Sequence, residues 1–130
     1  MTDSIVDYIP FSKLMGVEVT EATKDKITGT LTVREDLCTT GKIMHGGAVM
    51  AFADTLGAVG AFLNLPKGAK ATTTVESKTN FLGAAPLGSN LIAETKPVKI
   101  GRRLSVWQTE IKTDKGRQVA LVTQSQLVLS

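Results

Sequence analysis

Polar and apolar residues alternate with a period of two over most of this chain and abandon that period over one long stretch. Residues 17–20 and 27–33 alternate as strands do, and Lys24-Asp25-Lys26 supplies a polar turn that makes them a hairpin. Strand patterning returns in residues 71–82, 90–100, 103–113 and 118–129. The breaks between them are Gly83-Ala84-Ala85-Pro86, Gly101-Arg102 and Asp114-Lys115-Gly116. Short turns of this kind predict antiparallel neighbours. At the start, apolar residues at 5, 6, 9, 11, 14 and 15 form a loose amphipathic pattern, broken by Pro10 and stopped by Gly16. Residues 34–44 read as a loop.

The exception is the segment from Ile43 to Leu65, mostly apolar and long enough to span a bilayer. His45, Asp54 and Asn64 lie inside it, and an Asp at a membrane centre costs about 2.5–3.5 kcal/mol. Gly46, Gly47, Gly57 and Gly60 weaken it further as a membrane helix. It reads instead as a helix buried within a globule. At 130 residues the chain forms one domain, 1–130, able to bury a core without disulfides or metal. The order β-β-α-β-β-β-β then leaves one long helix to cover one face of the sheet. The fold class is α+β, an antiparallel sheet curled around a central helix.

Charge is unevenly spread. Residues 1–59 hold five Lys or Arg against eight Asp or Glu, and residues 60–130 hold ten against four. A basic second half points to an anionic partner. Nucleic acid fits poorly, because Trp107 is the only aromatic residue near the basic cluster. The single cysteine, Cys38, makes no internal disulfide, and one histidine builds no Cys/His metal cluster. The N-terminus carries no basic, apolar leader pattern, so the chain reads as cytoplasmic. No P-loop, no dinucleotide fingerprint and no G-x-S-x-G elbow occurs.

Within the helix, residues 46–61 are nearly all small, which suits a backbone that approaches another surface closely. Asp54 stands out. Its neighbours at three and four residues are Met50, Ala51, Gly57 and Ala58, so no cation on the same helix reaches it. One reading places it at a solvent edge or beside a strand Lys. The sharper reading is a carboxylate in an apolar cleft, suited to general-base work.

His45-Gly46-Gly47 followed by Asp54 resembles the signature of hotdog-fold acyl-CoA thioesterases, close to the phenylacetate-pathway type of the 4-hydroxybenzoyl-CoA thioesterase superfamily. Residues 74–82 and Gly101-Arg102-Arg103 fall where that family has them, and the similarity runs from about Phe11 to Leu129. The resemblance implies that Asp54 activates water or attacks the thioester, and that the Gly46 N–H polarises its carbonyl. A helix N-terminus has free donors for a developing oxyanion. Eight residues along one helix separate the two by about 12 Å, too far to act on one carbonyl. Two chains packed about a two-fold axis would bring them together, so a homodimer or a dimer of dimers (a homotetramer) is expected.

Departures from the family pattern fall at Thr39, where relatives have Asn or Gln facing the substrate carbonyl, and at Ala58, where some have Ser or Thr. Thr74 matches a strand hydroxyl that holds the water or the carboxylate in other relatives, and is equally an ordinary strand former. His45 is as readily a helix cap as a catalytic contact. Gly47 and Thr39 join the expected substrate contacts. Lys99, Arg102 and Arg103 read either as solvated turn charges or as a clamp for the phosphates of coenzyme A. Coenzyme A enters as part of the substrate, with no metal or redox cofactor implied. A small apolar tunnel beside Met50 and Phe52 is expected to hold an aryl or short-to-medium acyl group. The rival readings are a non-catalytic acyl-CoA binding module and an enoyl-CoA hydratase of the same fold.

Overall fold

The computed structural model describes residues 5–130; residues 1–4, part of the N-terminal stretch read as lacking a leader, lie outside it. After a 3-10 turn, helix α1 (Pro10–Met15) ends on Gly16, whose φ of 88° is left-handed. The Arg34 guanidinium donates to the carbonyls of Leu14 and Met15, so α1 is closed by a side chain from further along. Strands β1 (Glu18–Ala22) and β2 (Ile27–Thr32) form the expected hairpin. The expected loop contains a further small hairpin, β3 (Cys38–Thr39) with β4 (Ile43–Met44).

Helix α2 (Gly46–Leu63) follows, then β5 (Ala71–Phe81), β6 (Asn90–Ile100), β7 (Leu104–Thr113) and β8 (Gln118–Leu129). The six long strands make one antiparallel sheet in the order β1-β2-β6-β7-β8-β5. One expectation is overturned here: β5 does not pair with β6. Residues 82–89 carry the chain across from one side of the sheet to the other. That segment is tied to β4 on its way, by Met44 N–H to Ala85 O and by the Ile43–Pro86 bridge. Both edges of β6 are already taken, by β2 and β7, so β5 joins the outer edge of β8.

α2 touches all six strands of the sheet, which therefore wraps it. Alternation makes this possible: every second residue of β7 and β8 is buried toward the helix. Phe52, Leu56, Leu91, Trp107 and Ile111 are fully enclosed. The helix glycines make room for close packing. A Cβ on Gly60 would stand 2.7 Å from the Trp107 ring, and one on Gly29 would stand 2.9 Å from Leu56. α2 is long and apolar enough to cross a membrane by composition, yet it is the core helix of this sheet.

Candidate active site

One stripe of α2 is not covered by the sheet. Gly47, Met50, Ala51, Asp54, Ala58 and Phe62 recur every three or four residues along it, exposed or half-buried. Everything on that stripe is apolar except Asp54, the only charged residue of the helix. Beside it runs the edge strand β5. Its outer edge has no strand partner among the described residues, and Val75, Phe81 and Leu82 there are more than half exposed.

The Thr74 hydroxyl donates to Asp54 Oδ1 at 2.6 Å. A β-bulge at Val75 separates two halves of β5. Before the bulge Thr72 and Thr74 turn inward, and after it Ser77 and Thr79 do. Asp54 thus sits against a strand hydroxyl, half-buried, in a setting more polar than the apolar cleft expected for it. Two residues that patterning passed over stand behind Thr74. Gln126 and Gln124 of β8 are buried at 0% and 1% exposure. Gln126 Nε2 donates to Thr74 Oγ1 and to Gln124 Oε1, both at 2.6 Å, and Gln124 Nε2 donates to the Ala53 carbonyl at 3.0 Å. Two glutamines on the inward face of a strand, in line with Ala120 and Val122, were the available signal.

At the other end of the groove, Gly46 is the first residue of α2, and its N–H meets no acceptor among the described residues. The Phe81 ring lies against it; a Cβ there would be 3.3 Å from the ring. His45 caps the helix: its Nδ1 accepts the Gly47 N–H at 2.8 Å. That bond makes Nδ1 the acceptor nitrogen of the exposed ring and takes up the Gly47 donor. A Cβ on Gly47 would stand 3.0 Å from Nδ1, which accounts for the second glycine of the pair. Thr39 is exposed on β3, paired with Ile43.

Lys99, Arg102 and Arg103 are exposed at the β6–β7 turn, and none is ion-paired among the described residues. Pairing across the sheet places that turn. Thr74 lies opposite Gln126, Gln126 opposite Ser105 and Ser105 opposite Ile100, so the basic turn lies beside the row that ends in Thr74, with β8 between β5 and the turn. The expected tunnel is not beside Phe52, which is sealed in the core. A concavity of about 500 Å³ lies instead at the start of α2, lined by Phe11, Leu14, Leu37, Cys38, His45 and Ala48 among others. In the sequence Phe11 and Leu14 belong only to a loose amphipathic pattern.

The family model described as the thioesterase superfamily matches residues 41–120. A 1,4-dihydroxy-2-naphthoyl-CoA thioesterase of Arabidopsis thaliana is 28% identical over 121 residues, covering 90% of this chain and 76% of its own. The E. coli PaaI protein of the phenylacetic acid degradation operon superposes with a TM-score of 0.87 at 20% identity, over 98% of this chain and 91% of its own. A Streptococcus pneumoniae thioesterase-type protein solved with coenzyme A superposes with a TM-score of 0.79 at 23% identity, over 86% and 87%. The chain belongs to the thioesterase superfamily, as a hotdog-fold hydrolase of acyl-CoA thioesters.

Proposed function

We propose that the chain cleaves aryl or short-to-medium acyl-CoA thioesters to the free acid and coenzyme A, in a site built from two copies. Asp54 of one copy activates the attacking water, or attacks the thioester carbon itself. Thr74 orients that carboxylate, and the Gly46 N–H of the other copy receives the charge that develops on the carbonyl oxygen. Lys99, Arg102 and Arg103 bind the phosphates of the coenzyme. No metal or redox cofactor enters this reading. The observation that carries it is the lone carboxylate of α2, bonded to Thr74 at 2.6 Å on an otherwise apolar, uncovered stripe.

The shared site rests on distance and surface. Gly46 and Asp54 are about 12 Å apart on one helix, so a second copy must bring one to the other. The free edge of β5 and the neighbouring apolar stripe of α2 form a continuous surface for that pairing. Leu104 and Leu127, paired with each other on the outward face of the sheet, offer a second apolar spot on which two dimers would stack.

Subunit complementation tests the arrangement. Asp54→Asn removes the carboxylate, and Gly46→Pro removes one N–H at a position where proline suits a helix start. Each variant alone loses thiol release from a panel of aryl- and alkyl-CoA thioesters. A mixed dimer contains one doubly defective site and one intact site, and so recovers about half the activity of the parent dimer. No recovery on mixing and refolding together refutes the shared site, and wild-type turnover by Asp54→Asn refutes the role of Asp54.

A further inference from the structure

The polar groups behind Asp54 form a closed ring, and the ring admits one proton arrangement. It starts at the Ala53 carbonyl, which only accepts, so Gln124 must present its Nε2 there, at 3.0 Å. Its Oε1 is then left to face Gln126. Gln126 answers with Nε2, and both amide protons are used, one on Gln124 Oε1 and one on Thr74 Oγ1. Its own Oε1 accepts from Thr72 Oγ1 at 3.1 Å. Thr74 Oγ1 already receives a proton from Gln126, so its single hydroxyl proton goes to Asp54 Oδ1. The ring closes on the residue next to the one where it began.

We propose that Gln126 is a positioning residue for thioester hydrolysis. It fills an acceptor site on Thr74 Oγ1 and so fixes the hydroxyl with its proton on Asp54, which holds Oδ1 still and leaves Oδ2 as the oxygen that meets water or substrate. Gln126 acts only through Thr74 and never touches the reacting atoms. Both glutamine side chains are buried, so solvent cannot repair a reversed amide. Gly57 belongs to the same device: a Cβ there would stand 2.2 Å from the Gln124 amide, so only glycine lets that amide reach the Ala53 carbonyl. The proposal rests on Asp54 being the reacting carboxylate, as argued above.

The test compares Gln126→Met, a neutral replacement of similar length, in two backgrounds. In the wild-type background kcat for an acyl-CoA thioester falls about tenfold, with KM within about twofold. In a Thr74→Val background the same replacement changes kcat by less than about twofold, because the group it works through is already gone. An equal fall in both backgrounds overturns the proposal, and so does an unchanged kcat in the first. Gln124→Met provides an independent arm should Gln126→Met fail to fold. It frees the Gln126 amide to reverse, lowers kcat in the wild-type background and is silent with Thr74→Val; equal effects again overturn the proposal. Asp54→Asn separates the two levels. If it abolishes turnover while Gln126→Met does nothing, only the positioning role fails; if it retains turnover, the carboxylate assignment itself fails.

Discussion

Replacing Gly57 by alanine sets two physical effects against each other. Helix propensity alone favours alanine by about 1 kcal/mol in the middle of a helix. The structure predicts the opposite sign. A Cβ on Gly57 would stand 2.2 Å from the amide carbon and nitrogen of Gln124 and 2.5 Å from its oxygen. Gln124 is no free end that swings aside, being 1% exposed and bonded to Ala53 and Gln126. Overpacking of this kind costs about 1–3 kcal/mol. An amide pushed out of its bonds leaves buried groups unpaired, at about 1–3 kcal/mol more. After subtracting the propensity gain, Gly57→Ala loses about 1–5 kcal/mol. Urea unfolding followed by the fluorescence of Trp107, the only tryptophan, measures the loss at fixed protein concentration. The decisive arm is a sign reversal. In a Gln124→Ala background the space is open, and adding Gly57→Ala stabilises by about 1 kcal/mol. A single variant as stable as wild type refutes the reasoning, and so does a double variant that still loses stability.

Arg102→Ala combined with Arg103→Ala raises KM for a CoA thioester about tenfold and leaves kcat unchanged, with a smaller effect in high salt. A pantetheine thioester, which lacks the nucleotide phosphates, shows no such change; an equal rise there contradicts a phosphate clamp. Ser77 Oγ and Thr79 Oγ1 are buried without a hydrogen-bond partner among the described residues. Thr79→Val therefore stabilises the fold by about 1 kcal/mol in the same unfolding assay, and a loss of stability shows that the hydroxyl is satisfied by a group outside the single chain. His45→Ala removes the cap on α2 and costs about 1 kcal/mol, while His45→Asn, which keeps an acceptor, costs less. Equal losses would mean that the imidazole contributes something other than the cap.

Much of the fold was legible in the sequence because its signals are local. The period-two runs gave four long strands and a hairpin, and the break in that period gave α2, since alternation and helical spacing are properties of neighbouring residues. Small residues at Gly57 and Gly60 announced close approach, though not to what. The candidate carboxylate was legible for the same reason: one Asp in a row of small apolar residues needs no third dimension to be noticed. Strand order was not legible. Residues 82–89 contain turn-forming residues and read as a tight connection, but which edge of the sheet stands open is decided by β2 pairing with β6, more than fifty residues apart along the chain.

The composition of the site lay equally beyond local reading. Thr74 and Asp54 meet across twenty residues, and Gln126 reaches Thr74 across more than fifty. The concavity at the start of α2 is made partly by Phe11 and Leu14 of α1, which in the sequence belong only to a loose amphipathic pattern. Sequence by itself determined which long elements form, which one is buried and which carboxylate stands alone. Only the tertiary structure decided what that carboxylate touches and which way its partners' protons point, because a hydrogen bond depends on distance and direction between groups that nothing in their order along the chain brings together.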